Sequence, residues 1–319
     1  MSLLRNLQSY IPDRSIDEFE LFEEAKKLYP KIKFEEITNS LLKKMTKEVG
    51  IEKTTAFFYH KLIHLSNSSK FIKKINSTPV KFSNLPKLKN EVWVIPAGFY
   101  RDIPEFDGDG ELIRKIGSHF GTQSRLIEVN PKGSITNNAN EIIVELEKTN
   151  ANNLIVFSIS KGSADLRVAL ENRPDLQKKI FVWITIGGLL KNNPLADVLL
   201  DKTTFRKLIQ KTVLQILGIP FEFLTEFSTL SGILTSPINI QIKNQITLLP
   251  IPLPSHMQGN ILKKHRILSE YGPNDGYGLL TDSILPESYI IPAWGTDHYF
   301  RTPMLSEILY KVFFYISSL

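Results

Sequence analysis

Two hydrophobic patterns divide the chain. Over residues 13–75 apolar positions recur at helical spacing: Ile16, Phe19, Phe22 and Ala25, then Phe34, Ile37, Leu41 and Met45, then a third segment from Ile51 to Leu65. Ser15, with Glu18 three residues later, reads as a capping box that opens the first helix. Beyond residue 90 the pattern changes to short apolar runs without polar alternation: Glu91 to Phe99, running into a small-residue turn, Leu154 to Phe157, Ile180 to Gly188, ending in glycines, and Ser288 to Trp294. Such runs suit strands covered on both faces, and their alternation with helical segments implies a parallel sheet. Helices are expected at Leu112 to Phe120, Asn138 to Leu146 and Pro303 to Tyr315, with further strands at Arg125 to Val129 and His265 to Tyr271.

Two stretches break this order. From Lys70 to Lys89 the chain holds many lysines, Pro79 and Pro86 but no acidic residue, which predicts a solvated linker. A peripheral contact with an anionic membrane surface is the second reading of the same lysines. Between about residues 195 and 257 the strand–helix alternation lapses, through Val198, Leu199, Leu200, Phe205, Leu208 and the Leu249–Pro254 run. This predicts an insertion that caps the sheet edge. The expected organisation is a helical N-terminal extension and basic linker over 1–89, then an α/β domain over 90–319 carrying that cap.

Composition narrows the chemistry. The 319 residues, 42% of them hydrophobic, can fill a substantial core. The chain has no cysteine, which excludes disulfides, thiolate metal sites and cysteine nucleophiles. A net charge of +6 is mild for this length and predicts no nucleic-acid partner. The stretch Met1 to Tyr10 lacks the apolar core of a signal peptide, and no run approaches the roughly 20 apolar residues that span a bilayer. A cytoplasmic protein is therefore expected. His60 and His64 stand four apart, but no carboxylate completes a zinc-hydrolase motif, so they read as structural histidines and no metal is expected.

The candidate chemistry lies where the Leu154 run stops, at Ser158-Ile159-Ser160-Lys161-Gly162-Ser163-Ala164. A sharp strand-to-helix turn strains its central residue and needs small residues two before and two after it. Only Ser160 meets that demand, with Ser158 and Gly162 as the small neighbours; centring on Ser158 or Ser163 puts Val156 or Lys161 at a small position.

This stretch resembles the nucleophile elbow of the α/β-hydrolase family, G-x-S-x-G, with Ser158 in place of the first glycine. The resemblance is to the lipase-like and esterase-like members and covers roughly residues 90–319. It implies a mostly parallel sheet with helices on both faces and an acid and a histidine on late loops, in the order Ser, Asp, His. Asp275, in Gly272-Pro273-Asn274-Asp275-Gly276, and His298, after the strand ending at Trp294, match that order. Asp282 is the competing acid and His256 the competing base. Asp297 is a poor orienter for its own neighbour His298. By position the oxyanion-hole donors would be the backbone N–H groups of Phe99 and Lys161.

The resemblance implies a serine hydrolase acting on a small-molecule or lipid ester through an acyl-enzyme, without cofactor. Acyl transfer or thioester cleavage by the same residues remains open, as does a non-catalytic interaction protein on this scaffold.

Overall fold

A computed structural model describes residues 18–77, 84–102, 106–200, 221–235 and 237–319. Its strands are β1 (Val92–Ile95), β2 (Ser124–Leu126), β3 (Leu154–Ile159), β4 (Ile180–Ile186), β5 (Asn244–Ile251) and β6 (Tyr289–Trp294). They form one six-stranded sheet in the order β2-β1-β3-β4-β5-β6, and the β1–β2, β1–β3 and β3–β4 pairs are parallel. The sheet is mostly parallel with helices on both sides. The chain divides into two compact units, one drawn from 83–247 and 285–288, the other from 1–82, 248–284 and 289–319. Strand β5 passes from the first into the second after Thr247.

In the first unit the absence of polar alternation has its expected cause. Alternate residues Trp93, Ile95, Leu154, Val156 and Trp183 join one cluster with Ile135, Ala139, Ile142, Leu146, Ala164 and Val168. Those last residues lie on α6 (Ile135–Lys148) and α7 (Lys161–Asn172), which pack against each other. The intervening residues Val92, Val94, Ile155, Phe157, Val182 and Ile184 are equally buried, so both faces of these strands are covered. On β1 and β2 also packs α5 (Glu111–His119), through Ile113 and Ile116. Near its start the Leu112 N–H donates to Asp107 at 3.2 Å, and burial pushes that carboxyl up to about 6 against the pull of this bond.

The second unit gathers the helical extension. Helices α1 (Glu18–Lys27), α2 (Asn39–Val49) and α3 (Ile51–Ile63) share a core with the end of β5 and with β6, where Leu42, Met45, Phe57, Phe58 and Leu62 cluster with Leu249, Ile251, Leu253 and Ile290, and α4 (Ser66–Ser77) packs on α3 and β6. Trp294, at the end of β6, lies 4.8 Å from the Phe22 ring and 4.9 Å from the Tyr59 ring. Its indole N–H donates to Glu18 Oε2 at 2.9 Å. The extension thus packs around the strand that leads to His298.

Several expectations need correction. Residues 66–77 are helical rather than linker, because Phe71 and Ile75 bury one face between the lysines. Residues 78–83 lie outside the described residues, as do Ser15 and positions 201–220 of the expected cap, which the short helices α8 (Pro194–Leu199) and α9 (Phe221–Phe227) flank. Residues 244–251, read as part of that cap, form β5; Pro250 and Pro252 disguised a strand whose Ile246, Leu248, Leu249 and Ile251 are buried. The strand expected at His265 to Tyr271 is instead the end of helix α10 (Gly259–Leu268), which buries Ile261, His265 and Leu268 at helical spacing. Asn138 lies inside α6 rather than at its start, which Ser134 caps by accepting the Asn137 N–H.

The C-terminal helix α11 (Met304–Ile316) buries Leu309, Val312, Phe313 and Ile316. Among the described residues no helix is long and apolar enough to cross a membrane.

Candidate active site

Strand β3 delivers Ser160 at its C-terminal end, and α7 starts at the next residue. Ser160 has φ 50° and ψ −119°, a conformation that costs an L-residue on the order of 1–3 kcal/mol and persists only when its surroundings impose it. Here they do. The Ser160 N–H donates to Ile186 O on β4 at 3.0 Å, and its carbonyl accepts from the N–H groups of Ser163 and Leu189 at 3.0 and 3.1 Å. Of the three serines in the turn, Ser160 alone has positive φ.

The neighbours show why they are small. A Cβ on Gly162 would stand 2.5 Å from Pro96 O and 2.7 Å from Ile95 O, both backbone atoms at the end of β1. Gly162→Ala therefore forces α7 away from β1; we expect a loss of at least about 1–3 kcal/mol, read as a lower midpoint in urea unfolding. Ser158 is fully buried, and its hydroxyl accepts from Trp183 Nε1 at 2.8 Å and meets Ser163 Oγ at 2.9 Å. A serine stands where the family pattern has glycine because the buried indole N–H of Trp183 needs an acceptor.

Lys161 opens α7, so its N–H is among those a helix leaves without an internal acceptor. Its side chain is buried, and the ammonium donates to both Asp165 oxygens, at 2.6 and 2.8 Å. Burial pushes the Asp165 carboxyl up to about 6, against the opposing pull of Lys161 and of the Asn138 amide at 2.8 Å. The other expected donor is differently placed. The Phe99 N–H donates to Pro131 O at 3.0 Å, so the loop after β1 uses it internally rather than presenting it to a ligand. Phe99 itself has φ 57°, and its ring meets Phe223 edge-on at 5.2 Å.

In the second unit Asp275 and His298 come together. His298 Nδ1 lies 2.7 Å from Asp275 Oδ2, and both side chains are buried. The other carboxylate oxygen accepts the backbone N–H groups of Tyr277 at 2.9 Å and Gly278 at 2.7 Å. The Asp275 carbonyl accepts the His298 N–H at 3.0 Å. An ionised carboxylate only accepts, so the imidazole proton is assigned to Nδ1, leaving Nε2 as the basic nitrogen. The loop can turn this sharply because Gly276 has φ 98° and lies against Ile261, where a Cβ would stand 2.4 Å from that side chain.

Sequence spacing did not reveal Tyr277, whose ring centre lies 4.7 Å from that of His298, the two planes tilted by 32°. Its hydroxyl bonds that of Tyr299 at 2.8 Å and takes a hydrogen bond from Lys264, whose ammonium is drawn down to about 8 by burial.

The competitors are occupied elsewhere. Asp282 accepts from Asn39 Nδ2 at 2.9 Å, and Asp297 from Arg301 at 3.1 Å and the Tyr299 N–H at 3.0 Å. His256 accepts the Leu253 N–H at Nδ1, 3.0 Å, and faces Glu18 Oε1 through Nε2 at 2.8 Å. Its Nδ1 thus closes its own turn, and its Nε2 ties that turn to α1. His64 Nδ1 bonds His60 O at 2.7 Å, and among the described residues no group of three or more histidine or carboxylate side chains is arranged to hold a metal.

No protein-family model matches the sequence, and no curated protein matches it. In three dimensions the chain is similar to a metagenomic carboxyl esterase, with a TM-score of 0.56 over 76% of this chain and 79% of that one, at 16% identity. Weaker likenesses link it to mature lipase BlEst2 of Bacillus licheniformis (TM-score 0.48, 18% identity, 70% and 89% covered) and to mouse alpha/beta hydrolase domain-containing protein 10 (0.47, 14%, 71% and 88%). Strand order, the strained serine between β3 and α7, and the likeness to the carboxyl esterase agree: the chain has the α/β-hydrolase fold.

Proposed function

We propose that this protein is a serine hydrolase that cleaves carboxylic esters through an acyl-enzyme. Ser160 is the nucleophile, His298 the general base and then acid, and Asp275 the residue that holds the imidazole in its working tautomer. The observation that carries the reading is the backbone of Ser160, strained at a strand-to-helix junction that exists to present one side chain. The buried His298–Asp275 pair supports it, because such a pair supplies the base a serine hydroxyl requires. The chain order Ser, Asp, His agrees with both.

In this reading His298 Nε2 takes the Ser160 proton as Oγ attacks the ester carbonyl. Asp275 stabilises the imidazolium that forms. The negative charge that develops on the carbonyl oxygen meets the Lys161 N–H at the positive end of α7. Collapse of this intermediate expels the alcohol, which leaves with the proton from His298. Water, deprotonated by the same histidine, then attacks the acyl-enzyme, and the acid departs as Ser160 regains its proton.

The test is turnover of chromogenic esters of graded acyl length. We expect hydrolysis with a preferred length. Absence of turnover across the series would contradict the reading, and transfer of the acyl group to an added alcohol in preference to water would move it to acyl transfer.

A further inference from the structure

The turn carries something ester hydrolysis does not by itself demand: a buried ion pair on the residue next to the nucleophile. Lys161 and Asp165 stand one helical turn apart on α7, with side chains 2% and 1% exposed. Removing two charges from water is costly, and apolar side chains of similar volume at such a site are commonly neutral or stabilising. Stability alone is therefore a poor reason for the pair. Its connections suggest a better one.

Asn138 gives one amide hydrogen to Asp165 Oδ2 at 2.8 Å and the other to Asn130 O at 3.0 Å. The next carbonyl, Pro131 O, receives the Phe99 N–H at 3.0 Å. The Lys161 stem lies along Gly98, where an added Cβ would stand 3.1 Å from Cδ and 3.3 Å from Cβ of the lysine. The ammonium also sits 5.5 Å from the Phe223 ring centre, and that ring in turn meets Phe99. Lys161 is thus fixed along its stem by Gly98 and at its head by Asp165. The same chain of bonds secures the loop opposite.

We propose that Lys161, Asp165 and Asn138 are positioning residues: they lock the Ser160–Lys161 peptide against the Gly98–Phe99 loop, so that the Lys161 N–H is already in place when charge develops on the substrate oxygen. This rests on the serine-hydrolase reading above. A preorganised donor acts on the transition state and leaves ground-state binding largely untouched. The network therefore acts on kcat rather than KM.

The experiment replaces the pair as a unit, Lys161→Met with Asp165→Leu, so that neither charge is left buried alone. It measures kcat, KM, thermal midpoint and inhibition by an alkyl boronic acid, whose serine adduct is tetrahedral. We expect a midpoint no lower than that of the native protein and an unchanged KM. We expect kcat to fall on the order of 10²-fold, as for a misplaced catalytic group, with a parallel loss of boronate affinity. A folded variant that keeps native kcat overturns the proposal, and so does a fall in kcat matched by a rise in KM and a lowered midpoint.

Should the double variant not fold, Asp165→Asn carries the test. It removes the charge but keeps an acceptor for Lys161, and we expect about a tenfold fall in kcat at constant KM; native kcat in that variant overturns the proposal. Activity in the native protein separates the two claims. If it hydrolyses esters through Ser160 and the variants match it, only the positioning role fails. If the native protein is inert to both ester and boronate, the hydrolase reading fails and the positioning role with it.

Discussion

Ser160→Ala is expected to lower kcat for ester hydrolysis on the order of 10⁵-fold or more and to leave KM nearly unchanged, because in the proposed mechanism the lost hydroxyl forms its bond to substrate only in the reaction itself. Residues that act as one unit lose most of their effect at the first deletion. Adding His298→Ala to Ser160→Ala therefore slows the reaction little further, whereas independent contributions would multiply. That comparison needs only steady-state rates for four proteins, and it asks directly whether serine and histidine work together.

The backbone adds a second signature. Alanine at position 160 inherits φ 50° and ψ −119°, so Ser160→Ala keeps the strain. Ser160→Gly relieves it at some entropic cost, and we expect the glycine variant to be equally inactive but more stable than the alanine variant by about 1 kcal/mol. Denaturant unfolding of the two variants measures this difference.

Asp275→Asn has the next largest effect, and its direction follows from the bonds around the carboxylate. Oδ1 accepts two backbone N–H groups, from Tyr277 and Gly278, so the amide oxygen of asparagine must take that place. Its NH₂ then faces His298 Nδ1, which lies 2.7 Å from the other oxygen in the native protein. To accept that hydrogen bond His298 must move its proton to Nε2, and it no longer presents a base toward a serine. We expect kcat to fall on the order of 10⁴-fold with little change in fold, the size of effect seen when an orienting aspartate is replaced in this way in a serine protease. Asp282→Asn, at a carboxylate bound to Asn39, is expected to leave kcat within about twofold of native. If the two variants exchanged their effects, the acid would be Asp282.

The elbow was legible because its steric demands are local: a continuous apolar strand, one residue forced out of the ordinary conformations, and small residues on either side. Gly162 shows that demand at its most direct, in a Cβ position filled by two carbonyl oxygens. Asp275 was singled out from its Asn-Asp-Gly turn, although the strand expected before it is helix α10. There the turn chemistry survived a wrong period, since Asn274 and Asp275 organise their own backbone through short-range bonds.

What stayed hidden depends on distant partners. Nothing near Glu18 in sequence points to Trp294 or His256, whose ring nitrogens its carboxylate meets. Likewise β5 was obscured by prolines, because its place in the sheet is set by strands far away in the chain. Lys161 and Asp165 stand at the spacing of a helical ion pair and could have been paired from sequence. Their burial could not, since it depends on α6 and the Gly98 loop.

The measurement that tests the central claim most directly is labelling of the folded, native protein with a fluorophosphonate, followed by peptide mass spectrometry. A phosphonate reacts with a serine made nucleophilic by its surroundings and ignores ordinary hydroxyls. The account predicts one adduct per chain, on Ser160, abolished by His298→Ala. No adduct on Ser160, or ester turnover that persists while another residue carries the label, would contradict it.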